Sequence, residues 1–290
     1  VKDRSTGIFG SIIRETDFNT GSPLFDADIM GGKAPSESRF LNRYSLDHIT
    51  GILDKVGLFS HLREKGFDDI VSDIFCDSEK IHYLRVYDRK KDPSHIIIDL
   101  RLSEGRFIPE GKETPYDMFF IEWLQSQNPR SRDFNQDRPQ LPGQNRPGLG
   151  CLKYLTAMME AVSEDLTRDG FLDVPDHFHL AVIYSRSFKF FSPEEEGKML
   201  AILRDCSGRP LSDIAWGVVT KSIIEKKSGE AFLYTPSEEI FPISSRMKKY
   251  FSSHAYKKSC AETMRSLHFS LDMKKMESGK RKMLKNAVEA

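Results

Sequence analysis

Residues 138–191 read RPQLPGQNRPGLGCLKYLTAMMEAVSEDLTRDGFLDVPDHFHLAVIYSRSFKFF, and the fold turns on them. A Pro/Gly loop passes through Gly148-Leu149-Gly150 into an amphipathic helix, on whose one face Leu149, Leu152, Leu155, Met159, Val162 and Leu166 recur. Such a stripe packs on a sheet, and Asp169-Gly170 ends the helix. A short apolar strand over 171–178 follows, then a short helix over 180–187 and an aromatic-rich strand at Phe188-Lys189-Phe190-Phe191. Where a loop feeds a helix, the first-turn amides lack intrahelical acceptors and the helix dipole favours negative charge. Two glycines there let a ligand approach the backbone closely, so the stretch points to a phosphate-bearing ligand.

Upstream, residues 81–87 and 95–102 are apolar with partial alternation and are joined by a polar turn containing Pro93. They read as central antiparallel strands covered on both faces for part of their length. The run 118–124 carries Glu122 between Ile121 and Trp123; in a regular strand Phe120, Glu122 and Leu124 share one face. A carboxylate there is either ion-paired near a sheet edge or a general base tuned by partial burial. Residues 128–143, polar and bearing three arginines, are too long for a simple turn and are placed to act as a lid.

Outside this core, residues 1–40 read as a surface arm. Ser45 caps a helix that Gly57 interrupts, and a second helix ends at Gly66. Ser192-Pro193-Glu194-Glu195 opens a helix to about Cys206, residues 211–225 look helical, 230–244 extended, and 247 onward helical and basic. The terminal lysines read as a solvated face.

The chain has 290 residues, enough for one large domain or two small ones, and its 43 basic and 43 acidic residues cancel. That balance argues against nucleic acid as the main partner. No apolar run reaches the roughly 20 residues of a membrane helix, and the chain reads as cytoplasmic. Cys76, Cys151, Cys206 and Cys260 form no CxxC pair and read as buried reduced thiols, with Cys151 set apart by its place in the first turn of a helix. His177 and His179 stand at i and i+2 near Asp173 and Asp176, but no further ligand stands at a telling spacing and no metal site is assigned.

The order of these features resembles the GNAT (N-acetyltransferase) superfamily: antiparallel strands, the strand of Glu122, the loop Gln144-Asn145-Arg146-Pro147-Gly148-Leu149-Gly150, a long helix, a strand, and a short helix bearing Tyr184 before Phe188 and Phe190. The resemblance covers residues 67–191. It implies an α+β fold in α/β/α layers, with a mixed, largely antiparallel central sheet flanked by helices. Residues 1–66 would be a helical N-terminal addition and residues 192–290 an α/β C-terminal one. It further implies that Gln144, Asn145, Arg146, Gly148, Leu149, Gly150 and Cys151 cradle the pyrophosphate of acetyl-CoA or another acyl-CoA. Glu122 would deprotonate a small-molecule or peptide amine, and Tyr184 would protonate the departing thiolate. Asn145 stands where the family's loop carries Gln or Arg, and Pro147 brings no N–H. The resemblance thus implies an N-acyltransferase, with a non-catalytic ligand-binding or regulatory module of the same fold as the alternative.

Overall fold

Serine caps fix where several helices begin. Ser45 accepts from His48 N, Ser192 from Glu195 N and Ser244 from Met247 N, each supplying an acceptor to an otherwise unpaired first-turn amide. The structure, a computed structural model, describes residues 10–14, 38–111, 113–135, 138–163 and 165–289. These fall into two compact units, one drawn from Gly10–Asp133 and Arg146–Phe171, the other from Phe134–Asn145 and Leu172–Ala290.

The first unit runs β1 (Gly10–Arg14), α1 (Leu46–Lys55), α2 (Leu58–Glu64), β2 (Ile70–Cys76), β3 (His82–Asp88), β4 (Ile96–Pro109), β5 (Tyr116–Ser126) and α3 (Leu152–Ser163). Strands β2 to β5 pair with their sequence neighbours, all antiparallel. Strand β4, 14 residues long, runs well past the end at 102 that the sequence suggested. Its first half pairs with β3 and its last residues with β1, so one edge serves two neighbours while β5 lies along the other. The arm expected over residues 1–40 therefore contributes a strand at Gly10–Arg14; its residues 1–9 and 15–37 lie outside the described residues.

Apolar side chains at helical spacing make the core of this unit. Ile49 and Leu53 of α1, Leu58 and Leu62 of α2, and Leu155, Met158, Met159 and Val162 of α3 are all buried, as are Leu84, Val86, Ile98 and Leu100 of the sheet. Each such side chain contributes about 1.5–3 kcal/mol relative to exposure. Helix α3 stops at Ser163, short of Leu166, which is only partly buried and continues no stripe. On the sheet, the Asp99 carboxylate accepts from both Arg85 and Arg101, and these guanidiniums lie about 5 Å over the rings of Phe75 and Tyr83. The aromatic faces are thereby already occupied.

Strand β6 (Gly170–Asp173) carries the chain from the first unit into the second and ends before Pro175, so the strand expected to reach Phe178 is cut short. The second unit continues with α4 (Phe178–Tyr184), β7 (Lys189–Phe190), α5 (Pro193–Asp205), α6 (Leu211–Val219), β8 (Ile223–Glu225), β9 (Glu239–Pro242), α7 (Ser245–Ser252), α8 (His254–Ser266), β10 (Phe269–Leu271) and α9 (Met273–Glu289). Strands β7 and β9 pair antiparallel, as do β8 and β10. The helix read over 211–225 therefore ends at Val219, where Lys221 takes a positive φ of 55° and the chain turns into β8. The core joins Phe178, Ala181 and Phe190 to Met199, Ile202, Ile214, Ile223 and Phe269.

Helices α5 and α8 cross at Gly197, where an added Cβ would stand 2.7 Å from the Cys260 carbonyl oxygen and 2.7 Å from Thr263 Cβ. A methyl group has no room there. Gly197→Ala is expected to lower stability by about 1–2 kcal/mol, the overpacking cost outweighing the gain in helix propensity. In α1, Gly51 faces open space within 4 Å, and Gly51→Ala should raise stability by up to about 1 kcal/mol. Urea unfolding of the two variants checks the opposite signs.

Candidate functional site

Strand β5 carries an irregularity at the acid. Its register against β4 slips between Arg101 and Leu102, which face Trp123 and Ile121, so Glu122 is the extra residue of a β-bulge. The expected alternation of faces fails for that reason: Met118, Phe119, Phe120 and Ile121 are all buried, Glu122 is half-buried and Trp123 is 46 % exposed. Ser103, on β4 and buried, donates from its Oγ to Glu122 Oε1 at 2.5 Å. The bulge turns the carboxylate off the regular pleat.

Beyond β5 the chain leaves on an excursion closed at its base. Asn128 N donates to Pro147 O at 2.8 Å, and a Cβ on Gly148 would stand 3.7 Å from Ser126 O, so the glycine lies against the last residue of β5. Ser126 Oγ is buried with no hydrogen-bond partner among the described residues. Gly150 has φ +74°, a left-handed conformation that suits glycine, and it is exposed. Cys151 is fully buried and its carbonyl accepts from Tyr154 N and Leu155 N, which starts α3. Among the described residues the N–H groups of Gly150, Leu152 and Lys153 have no protein acceptor. They are the donors a bound anion would meet. Gly150 belongs to the set expected from the sequence, and Lys153 adds an exposed cation that the sequence reading left out.

The remaining loop residues take other tasks. Arg146 donates to Pro129 O at 2.6 Å, and His61 Nε2 meets Leu149 O at 2.8 Å, so both positions brace the turn. Gln144 accepts from Leu141 N at 3.2 Å through its side chain and closes a turn; it and the exposed Asn145 belong to the second unit. The segment read as a lid is anchored in both units. Arg130 binds Asp88, Trp216 Nε1 donates to Gln140 O at 2.8 Å, and the His177 imidazole sits over Gly143.

Tyr184 closes α4 in the second unit, 6 % exposed, with its ring 5.5 Å from that of Phe188. Glu122 lies in the first unit together with Gly148, Leu149, Gly150 and Cys151. His177 and His179 are on no strand: His177 precedes α4 and His179 lies inside it, their rings stacked 5.3 Å apart. Among the described residues no three His, Cys, Asp or Glu side chains converge as metal ligands. Of the cysteines, Cys151 and Cys206 are buried, Cys260 is partly buried, and Cys76, expected inside, is exposed at the end of edge strand β2. A groove of about 320 Å³ in the first unit is lined by Leu46, Asp47, Thr50, Arg63 and Ile70 among others, none from the loop or β5. No helix among the described residues is long and apolar enough to cross a membrane. Comparison of the chain with protein-family models, with curated proteins and with solved structures finds no match.

Proposed function

We propose that the chain is an acyl-CoA-dependent N-acyltransferase of GNAT-like fold, moving an acetyl or other acyl group to an amine. One observation carries this reading. The strand that bears a bulged, half-buried carboxylate runs four residues on to the buried, unpartnered Ser126 Oγ, beside the loop whose Gly150, Leu152 and Lys153 amides lack protein acceptors. Those amides would hold the pyrophosphate of the cofactor, with the helix dipole and Lys153 adding positive potential. Glu122 would take the proton of the attacking amine. Acyl transfer asks for little more than proximity of amine and thioester and a proton acceptor.

The burial of Tyr184 favours a second reading, a ligand-binding module of the same fold without turnover, because a buried hydroxyl is poorly placed to protonate a leaving thiolate. Acetyl-CoA at about 100 times its dissociation constant is expected to stabilise the protein by about 2.7 kcal/mol. No thermal shift with any acyl-CoA would remove both readings. If binding is seen, Glu122→Gln separates them. The enzyme should lose on the order of a hundredfold in turnover with cofactor affinity little changed, whereas the module has no turnover to lose.

A further inference from the structure

The second unit buries two consecutive glutamates, Glu238 just before β9 and Glu239 at its start, with no exposed surface on either. Neither carboxyl oxygen of Glu239 has a hydrogen-bond partner among the described residues. The charges that act on it are acidic: Asp173 at the end of β6 and Glu196 in α5, both buried. Lys189 on β7 stands 3.7 Å from Glu196 Oε1. Glu196 also accepts from Phe190 N at 3.1 Å.

Other titratable groups lie around the cluster, among them the buried Glu238 and, beside Tyr234, Asp176. Tyr234 OH donates to Pro175 O and Tyr256 OH to Phe190 O. Glu195 binds Lys198, and the Cys260 thiol on α8 faces Glu196. An ionised, unpaired carboxylate in such a place costs several kcal/mol, and two acidic neighbours add to that. A bound cation would relieve the cost. The described side chains offer no converging metal ligands, and Glu239 has no exposed surface by which an organic amine could reach it. The cation that fits is a proton.

We propose that the Glu239 carboxyl is a proton-binding site: the second unit folds with this proton in place, and loss of the proton as pH rises opens the unit. Burial first, then Asp173 and Glu196, hold this carboxyl well above the ordinary glutamate value of 4.5. A group so raised contributes its stability in full below 4.5 and loses it as pH climbs toward the raised value. His179, buried in α4, acts with the opposite sign below its ordinary value of 6.5, so the Glu239 contribution is read as the difference between the wild type and Glu239→Gln.

The chain has two tryptophans, and Trp216 lies in the second unit; in the full chain with Trp123→Phe, its fluorescence reports unfolding of that unit. As pH rises above 4.5 the unfolding equilibrium constant of the wild type is expected to rise relative to that of Glu239→Gln, by up to about tenfold per pH unit, one proton's linkage. Equal slopes with and without Glu239 would overturn the proposal. Infrared spectra of the native wild type decide the matter even where the variant fails to fold. The carbonyl stretch of a protonated carboxyl that persists above the ordinary glutamate value of 4.5 supports the site, and its absence overturns it.

Discussion

Arg130→Ala is expected to lower the stability of the first unit by about 3 kcal/mol, read as a fall in the urea midpoint with the slope unchanged. Arg130 is the point at which three segments of that unit are tied. Its Nε and NH2 donate to the two carboxylate oxygens of Asp88, at the end of β3, at 2.7 and 2.6 Å. Its NH1 donates at 2.7 Å to the carbonyl of Gly66, which follows α2, and its guanidinium centre lies 4.4 Å from the Phe67 ring centroid. The Asp88 side chain is only 4 % exposed, against 36 % for Arg130. Truncating the arginine therefore leaves a buried carboxylate without its main partner, which is the costly way to break a pair.

The same contact sets the titration of Asp88. The hydrogen bonds from Arg130 hold its carboxyl below the ordinary value of 3.8, so the pair's contribution is present above that pH and is lost as pH falls through the depressed value. Arg130→Lys should recover only part of the loss, because an ammonium cannot reproduce two parallel bonds to one carboxylate and a third to a carbonyl. A double-mutant cycle with Asp88→Ala measures the coupling, and a value near zero would mean that the fork contributes no more than an exposed surface pair.

Which features were legible in the sequence follows from how locally each is determined. The caps at Ser45 and Ser192 and the stops at Gly57 and Gly66 depend on a few adjacent residues, and the structure has them where the residues indicate. Strands β3 and β4 were visible because Ile, Leu, Val and Tyr dominate them. The second half of β4 was not, because Ser103, Glu104, Gly105 and Arg106 interrupt its apolar run, and only pairing with β1 and β5 keeps it extended. Tertiary context likewise overrides local pattern at Glu122, since a bulge exists only relative to a partner strand. Burial of charge is the least legible of all. Glu194, Glu195 and Glu196 look alike as first-turn acids of α5, yet only Glu196 turns inward, onto Phe190 N, and only the fold brings Asp173 and Glu239 near it.

That buried polar layer makes the second large effect a matter of pH. His179 lies inside α4 at 2 % exposure, and burial, followed by the neighbouring His177, lowers its pKa from 6.5 to about 4. A base depressed in this way stays neutral in the folded state while the unfolded chain takes up a proton. Its contribution is complete above 6.5 and is lost as pH falls toward about 4, a total of about 3 kcal/mol. Glu239 pulls the other way above its ordinary value of 4.5, so between about pH 4.5 and about pH 6.5 the two slopes oppose and the wild type should respond weakly. His179→Phe keeps an apolar ring in the helix and removes the base. Relative to the wild type it should gain about 3 kcal/mol in the second unit on going from about pH 7 to about pH 4, whatever constant offset repacking introduces. The readout is the difference in slope of unfolding free energy against pH, followed at Trp216. If that difference is absent, the imidazole takes up its proton as readily in the folded protein as in the unfolded chain, and burial does not depress His179.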